Sequence, residues 1–305
     1  MNRIKEFLNY KLDRENGSIE TNKGYRSDLK IFYQYIKRQK QIQDINDEVL
    51  QSLKLKDLDN FIIYVKKERN NSAYGQNRKI ATIKSFFKYL YKQEIVNKNV
   101  AQDLEKISLP KRNPKALDIL QIKNMITIIK NSPRSYEMKI RDECIISLFF
   151  NCGMRLSELC SLNISNINKD SIDVIGKGNK QRRIYLNESI QQTLNDYLIV
   201  RKQYILKIKK QEDQDALFIS RKMNRISNRN VERIVKNIMI QAGISSEYHT
   251  HNLRTTCATE LLKAGVNLRE IQEILGHENL SVTQNYLKVK DDDLKESMNR
   301  IPSIL

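Results

Sequence analysis

The sequence lacks the features on which membrane and secreted proteins depend. The 305-residue chain contains no run of about 18 apolar residues, so no segment is long and apolar enough to be a transmembrane helix. The first nine residues are not followed by the long apolar stretch of a secretion signal. The sequence therefore predicts a cytoplasmic protein.

Cysteine and histidine are also scarce. The four cysteines lie in or beside apolar runs and lack the CxxC spacing of zinc sites and redox motifs, which indicates reduced, buried thiols. The three histidines have no cluster of Asp, Glu or Cys around them at the spacing that metal ligands need. We therefore predict that the chain has no metal site.

Acidic residues are outnumbered throughout the chain. Lys and Arg total 54 against 36 Asp and Glu, for a net charge of +18, and residues 1–112 alone carry 24 basic and 14 acidic side chains. A folded chain that is basic in both of its parts is typical of proteins that hold a polyanion such as nucleic acid. The alternative explanation is an AT-rich genome, whose codons favour lysine.

Apolar residues at three- and four-residue spacing predict helices over most of the chain. Four are expected in the first hundred residues, at 3–12, 21–38, 55–68 and 73–93. Thr21 is the predicted cap of the second, and Arg78, Lys79 and Lys84 are predicted on the exposed side of the fourth.

Two segments interrupt the helical pattern. Residues 108–115 (SLPKRNPK) contain two prolines, which favour an extended backbone, so we predict a linker whose Lys111 and Arg112 contact phosphate. Residues 172–186 form two β-rich runs around a Gly-Asn turn, which predicts a β-hairpin. Helices are expected to resume near residues 189, 228, 253, 268 and 282.

Two helix starts carry polar residues that could do chemistry. In residues 153–159 (GMRLSEL) a glycine ends an apolar helix, and Arg155 stands at the start of the next one. Glu158 follows one turn later, where its carboxylate can orient the guanidinium; a simple surface ion pair is the alternative. His251 and Arg254 are three residues apart and share one face of a predicted helix.

Capping signals then place two further residues. Gly265 and Gly276 are predicted to end helices, so His277 lies on a turn directly after the second of these ends. A new capping sequence starts a short helix that carries Tyr286. Taken alone, a tyrosine is more often a core residue, and a histidine beside glycine is more often a cap. His249 is interpreted as a structural or surface residue.

Taken in order, these segments resemble the tyrosine site-specific recombinases. Residues 153–159 resemble the first motif of that family, and residues 251–254, 275–277 and Tyr286 resemble the second. Residues 174–180 (VIGKGNK) resemble the hairpin that supplies the family's catalytic lysine, which favours Lys177 over its rival Lys180. The likeness extends to the N-terminal part and is closest to bacterial Xer recombinases and mobile-element integrases. One departure is Thr255, where bacterial members often have histidine.

The resemblance implies a fold and a division into domains. We expect a mainly α fold with a small β-hairpin (α+β) that forms a clamp around DNA. A four-helix, SAM-like core-binding domain would span residues 1–107 and a linker 108–115. A catalytic domain would span 116–305, with a C-terminal segment that packs on a neighbouring protomer.

The resemblance also implies the chemistry. Tyr286 would attack a DNA phosphate and form a 3′-phosphotyrosyl link, while Arg155, Arg254 and His277 bind the phosphate. Lys177 would protonate the leaving 5′-oxygen and His251 would assist proton transfer at the tyrosine; Glu158 would orient Arg155. This scheme requires no cofactor.

The expected partner is double-stranded DNA, on which four copies of the chain would bind two sites. The expected location is the cytoplasm, in association with the nucleoid. The need for a second recombinase or an accessory protein stays open. So does the choice between chromosome-dimer resolution and mobile-element integration or excision. The rival functions are a type IB topoisomerase, which relaxes supercoils, and a DNA-binding regulator without catalysis. A metal-dependent nuclease would need a carboxylate cluster that the sequence does not offer.

Overall fold

The computed structural model describes residues 2–15, 19–109, 115–176, 181–208 and 215–276. The chain divides into two compact units, Met1–Lys111 and Arg112–Leu305. Both units are mainly helical, and the second contains a two-stranded sheet, so the predicted fold class is confirmed. Most of the predicted linker lies outside the described residues, and the exact domain boundaries stay a prediction. Within the described ranges, no helix has the length and apolar character needed to cross a membrane.

The described elements of the first unit are helices. They are α1 (Asn2–Glu15), α2 (Ile19–Lys40), α3 (Asp47–Ser52), α4 (Leu55–Lys67) and α5 (Ala73–Lys92). The four longer helices agree with the predicted ones to within three residues at each end. The short α3 was not predicted, although Asn46 caps it by accepting a hydrogen bond from the backbone N–H of Val49.

The predicted cap at Thr21 is wrong, because α2 already begins at Ile19. The neighbouring Asn22 is buried and donates a 2.7 Å hydrogen bond to the carbonyl of Leu8 in α1. The first turn of α2 is therefore held against α1, and the helical conformation extends upstream of Thr21.

Aromatic side chains fill the core of the first unit. Phe7, Phe32, Phe61, Phe86 and Phe87 are all fully buried, and they meet in edge-to-face pairs such as Phe32 with Phe61, whose ring centroids are 5.1 Å apart. Each buried phenylalanine stabilises the fold by roughly 1.5–3 kcal/mol. The apolar spacing seen in the sequence thus corresponds to one continuous core shared by the helices.

The second unit combines helices with a small hairpin. Its described α-helices and strands are α6 (Ile119–Asn131), α7 (Tyr136–Cys152), α8 (Leu156–Ser161), β1 (Ser171–Ile175), β2 (Gln181–Tyr185), α9 (Glu188–Ile208), α10 (Asn228–Gln241), α11 (Thr250–Lys263) and α12 (Leu268–Leu275), with a short 3-10 helix at Ile164–Asn166. All the predicted helix starts up to residue 268 are confirmed to within three residues. The one near residue 282 lies outside the described residues.

Helix α7 is the centre of the second unit. It packs against α6, α9 and α11, and its buried residues include Cys144, Leu148, Phe149 and Cys152. A helix with apolar residues on most of its sides is expected to be buried by neighbours rather than to lie on the surface. All four cysteines of the chain are free and buried, as predicted.

The strands β1 and β2 pair antiparallel, with Ser171 opposite Tyr185 and Val174 opposite Arg182. The side chains of Ile172, Val174 and Ile184 are buried, so one face of the hairpin packs on the helical core. The connection between the strands, residues 177–180, lies outside the described residues.

Candidate active site

Arg155 stands where the sequence predicts it, immediately before α8. Helix α7 ends at Gly153 in the left-handed conformation, with φ +55°, and Arg155 is the extended N-cap of α8. A Cβ at Gly153 would overlap the side chain of Leu275 in α12, so glycine allows both the positive φ and the close approach of α12. The turn thereby brings Arg155 next to the end of α12.

Glu158 holds Arg155 with two hydrogen bonds. Nη1 of Arg155 donates to Oε1 of Glu158 at 2.7 Å, and the backbone N–H of Arg155 donates to Oε2 at 2.8 Å. The carboxylate of Glu158 is only 2% exposed, whereas the Arg155 side chain is 33% exposed. A buried, hydrogen-bonded ion pair of this kind differs from the exposed surface pair that was the alternative.

A second arginine, Arg182 on β2, binds the same carboxylate. Its Nη1 donates to Oε1 of Glu158 at 2.7 Å and its Nη2 to Oε2 at 3.0 Å. No role was predicted for Arg182 from the sequence. The signal that could have found it is strand alternation, because residues 182 and 184 share one face and Ile184 is an apolar core residue.

The two arginines set the protonation state of Glu158. Burial raises the pKa of this carboxyl, but hydrogen bonds from Arg182 and then from Arg155 outweigh burial and lower the pKa to about 2. Glu158 is therefore ionised at neutral pH.

Arg254 lies on α11, which begins at Thr250, so His251 and Arg254 are in the same helix as predicted. The Arg254 side chain is almost fully buried. Its Nη1 donates to the carbonyl of Gly153 at 2.5 Å and its Nη2 to the carbonyl of Leu275 at 2.6 Å. His251, one turn earlier on the same helix, is exposed.

Both arginines converge on the C-terminal end of α12. Arg254 binds the carbonyl of Leu275, and Nη2 of Arg155 donates to the next carbonyl, that of Gly276, at 2.5 Å. The last carbonyls of a helix have no partner inside the helix and carry partial negative charge, so guanidinium groups are suitable donors. Gly276 has φ +65°, and the next residue in the chain is His277.

The structure thus brings together Arg155, Glu158 and Arg254 with the residue that precedes His277. His277 itself, Tyr286, Lys177 and its rival Lys180 lie outside the described residues, and so do Lys111 and Arg112. His249 is the exposed N-cap of α11. Within the described part of the chain, no group of three or more His, Cys, Asp or Glu side chains is arranged to hold a metal ion.

Comparison with known protein families shows which family the chain belongs to. The model of the phage integrase family matches residues 115–293, and that of the phage integrase N-terminal SAM-like domain matches residues 4–94. The chain belongs to the phage integrase family. As a tyrosine recombinase it is an enzyme that cleaves and rejoins DNA in site-specific recombination.

Individual proteins agree with the family match. The recombinase is 38% identical to the tyrosine recombinase XerC of Caldanaerobacter subterraneus, over 98% of this chain and 86% of the relative. It is 33% identical to XerC of Thermodesulfovibrio yellowstonii, over 96% and 92% of the two chains. Its fold is similar to that of the XerH recombinase in a pre-cleavage complex with difH, with a TM-score of 0.72 and 21% identity. The match covers 98% of this chain and 85% of the XerH chain. The two XerC matches favour recombination over the topoisomerase alternative.

The predicted DNA contacts on α5 fall into two groups. Arg78 is exposed and donates to the buried carboxylate of Asp28 at 2.7 Å, and Nζ of Lys84 donates to the carbonyl of Gln102 at 2.9 Å. Lys79 is only 3% exposed and donates to Asn71, so the prediction that it lies on the exposed face is wrong. Consecutive residues of a helix are rotated by about 100° about its axis, so Lys79 points towards Asp28 and away from solvent although Arg78 is exposed.

A basic cavity of about 760 Å³ lies on the second unit of the recombinase, between α7, the turn at 220–225 and the start of α10. Its cationic lining residues are Arg134, Arg141, Arg221, Lys222, Arg225, Arg229 and Arg233. No carboxylate is among the described residues that line it. This surface was not predicted from the sequence, although Arg229 and Arg233 are four residues apart and therefore share one face of α10.

Only some of the cations that line this cavity are exposed to solvent and able to bind an anion. Arg134 and Arg141 both pair with the buried Asp142, so their charges are partly neutralised. Arg221, Lys222, Arg229 and Arg233 are exposed. Sites for small apolar ligands are lined mainly by hydrophobic groups, whereas this lining of guanidinium, amide and hydroxyl groups suits phosphate oxygens.

Proposed function

We propose that the recombinase cleaves double-stranded DNA at a specific site with Tyr286 as its nucleophile. The observation that carries the proposal is the meeting of Arg155 and Arg254 on consecutive carbonyls at the end of α12. The two arginines come from distant segments of the chain, and His277 is the next residue after their meeting point. The two arginines predicted to bind one phosphate therefore meet at the residue that precedes His277, the third predicted phosphate ligand.

The proposed reaction has two displacements at phosphorus. The Tyr286 oxygen attacks the phosphorus and gives up its proton with help from His251. The bond from phosphorus to the 5′-oxygen breaks, and Lys177 protonates that oxygen. The 3′-phosphotyrosyl link keeps the energy of the broken bond. A 5′-hydroxyl from a second duplex then attacks the link and gives its proton back to Lys177, while Tyr286 leaves and takes up a proton with help from His251. Protein side chains therefore supply every acid and base of the two steps.

Arg155 supports phosphate binding directly. A guanidinium has five N–H donors, and the described contacts of this one engage Nη1 with Glu158 and Nη2 with Gly276. The side chain is one-third exposed, so donors on its solvent-facing edge are available to a phosphate oxygen. The transition state gains negative charge on the non-bridging oxygens, which positioned cations stabilise.

We infer the biological role from the similarity to known relatives. The similarity to XerC proteins covers nearly the whole chain, which supports an Xer-like role in resolving chromosome dimers, in the cytoplasm at the nucleoid. The chain would act as a homotetramer on two DNA sites, with or without a second recombinase or an accessory protein. Integration or excision of a mobile element is the other outcome that the following test distinguishes.

Covalent capture on fragmented genomic DNA of the source organism tests this proposal. The protein is incubated with the fragments and quenched in detergent, and the protein-linked DNA is sequenced from its ends. Wild type should enrich one site with protein-blocked 3′ ends, and Tyr286→Phe should bind DNA yet give no adduct. The control is Tyr185→Phe, which changes an exposed tyrosine of β2 and should react like wild type.

The location of the enriched site separates the roles. A site near the replication terminus supports dimer resolution, and a site at an element boundary supports integration. Adducts scattered without a common sequence would contradict site-specific cleavage. Adducts formed by Tyr286→Phe would contradict the assignment of the nucleophile.

A further inference from the structure

The side chain of Arg182 faces the interior although it belongs to a hairpin with a polar outer face. In β2, Gln181, Arg183 and Tyr185 are exposed, whereas Ile184 is buried and Arg182 lies on the same face as Ile184. Arg182 is 15% exposed and pairs across the sheet with the buried Val174. Burying a guanidinium is unfavourable unless a partner compensates its charge.

The partner is the carboxylate of Glu158, which Arg182 shares with Arg155. Arg182 approaches it with both Nη atoms, at 2.7 and 3.0 Å, in the paired geometry that guanidinium and carboxylate groups favour. Arg155 adds one side-chain and one backbone hydrogen bond. Four donors thus occupy the acceptor sites of a single carboxylate, and moving any one of them disturbs the others.

This sharing affects the charge that Arg155 can offer. If Arg155 were the sole partner of Glu158, the carboxylate would largely neutralise the charge of the Arg155 guanidinium. With Arg182 added, two guanidinium groups balance one carboxylate, and the three side chains keep a net charge of +1. Positive charge therefore remains beside the end of α12, where phosphate binding is proposed.

Arg182 also contacts the turn that leads to His277. A Cβ at Gly276 would lie 3.0 Å from Cδ and Nη1 of Arg182, so the arginine covers this glycine while Arg155 binds its carbonyl. The Nε of Arg182 is buried and has no hydrogen-bond partner among the residues that the structure describes. An unmade buried hydrogen bond is destabilising, so stability alone does not account for arginine at this position.

We propose that Arg182 is a positioning residue that ties the hairpin to Arg155 through Glu158. The residue lies two positions after the connection 177–180, which contains Lys177, so fixing Arg182 fixes the strand from which that connection emerges. The inference rests on the proposed function, in which Arg155 binds the phosphate and Lys177 is the acid. Arg182 itself acts through these residues and does not contact the reacting atoms.

The proposal is tested by measuring the rate of a single cleavage turnover. The substrate is a nicked duplex that contains the captured site and traps the covalent adduct. Arg182→Met should lower the adduct rate at saturating DNA by about 100-fold, because a misplacement of about 1 Å has that effect on a reacting geometry. The Kd for DNA should change by less than about threefold. Arg182→Lys keeps the charge but not the paired geometry and should recover part of the rate.

The matched control is the neighbouring Arg183, whose side chain is 54% exposed and pairs with Asp173 within the hairpin. Arg183→Met should keep the wild-type adduct rate. Thermal unfolding of each variant separates loss of fold from loss of positioning, and Arg182→Lys serves if Arg182→Met does not fold.

A second readout does not depend on cleavage. Carbon-13 NMR titration should show that Arg182→Met raises the pKa of Glu158 towards the ordinary value of about 4.3, and that Arg183→Met leaves it unchanged. An unchanged Glu158 pKa, or a wild-type adduct rate in Arg182→Met, would overturn the proposal.

A loss of DNA affinity with an unchanged adduct rate at saturating DNA would also overturn it, because Arg182 would then be a direct phosphate ligand. Failure of the proposed function is distinct, because wild type itself would then form no adduct.

Discussion

At the scale of single residues, one carboxylate organises the candidate site. Glu158 is buried and accepts hydrogen bonds from Arg155 and Arg182. The sequence predicted the first contact, because residues three apart at a helix start face each other. It did not predict the second, because Arg182 is 24 residues away and reaches Glu158 only through the packing of the hairpin against α8.

The lowered pKa of Glu158 makes stability depend on pH. Its folded value is about 2 and its unfolded value is near 4.3, so the ion pairs stabilise the fold above about pH 5 and this contribution is lost as the pH falls towards 2. Glu158→Gln should lower the free energy of unfolding by about 3 kcal/mol at pH 7. In urea unfolding, its difference from wild type should narrow steadily below pH 5.

The control for this prediction is Glu143→Gln, which removes the partner of Lys130, a lysine that is 61% exposed. Ion pairs open to solvent contribute little, so this variant should unfold almost like wild type. A difference between Glu158→Gln and wild type that stays constant from pH 7 to pH 2 would contradict the account.

Lys79 shows where helical periodicity alone misleads. Desolvation lowers the pKa of its ammonium group, and its contacts with Asp28 and Asn71 lie inside the first unit. Arg78→Met should reduce the slope of log Kd against log salt concentration by about 1, the effect of one lost phosphate contact. Lys79→Met should leave that slope unchanged. A larger effect from Lys79→Met than from Arg78→Met would restore the original prediction.

At the scale of elements, two glycine turns hold the arginines. Gly153 ends α7 and Gly276 ends α12, both with positive φ, and the arginines bind carbonyls at both turns. Arg254 joins the two turns directly, since it donates to Gly153 and to Leu275. The close approach of α7 and α12 is therefore part of the geometry of the site.

Gly153→Ala tests this close approach. It should lower the free energy of unfolding by about 3 kcal/mol, because the strain of a left-handed alanine adds to overpacking against Leu275. Gly265→Ala is the matched control, with φ +83° but open space around its Cβ, and should lose only about 1 kcal/mol. Equal losses in urea unfolding would show that the packing against α12 contributes nothing.

Most elements could be predicted from the sequence, for physical reasons that also explain the exceptions. Long helices such as α2 and α5 repeat their apolar spacing over several turns, so their existence and type are strongly specified. The six-residue α3 has too few turns to show a period and depends on its cap and on burial of Leu50. Within the site, Arg155, Glu158 and Arg254 were predictable from local motifs. Their meeting at the end of α12 was not, because it depends on how distant helices pack.

At the scale of the whole molecule, the excess of positive charge includes one cluster of exposed cations on the second unit. The net charge of +18 is shared by both parts of the chain, and the basic cavity of the second unit gathers four exposed cations, Arg221, Lys222, Arg229 and Arg233. Such contacts supply affinity for any DNA sequence and are weakened by salt.

Removing two of these cations should weaken DNA binding without changing the chemistry. Arg229→Gln combined with Arg233→Gln should reduce the slope of log Kd against log salt concentration by about 2, one for each phosphate contact, and leave the adduct rate at saturating DNA unchanged. Lys263→Gln, which removes an exposed cation paired with Glu260, is the control and should keep the slope. An unchanged slope in the double variant would exclude the cavity from the DNA interface.

The most direct test of the central claim is to identify the amino acid that becomes linked to DNA. The captured adduct is digested with nuclease and trypsin, and the phosphorylated peptide is sequenced by mass spectrometry. Tyr286 should carry the phosphate, in the tryptic peptide of residues 270–288, and the DNA should be blocked at its 3′ end. A phosphate on any other residue, or a protein-blocked 5′ end, would contradict the account.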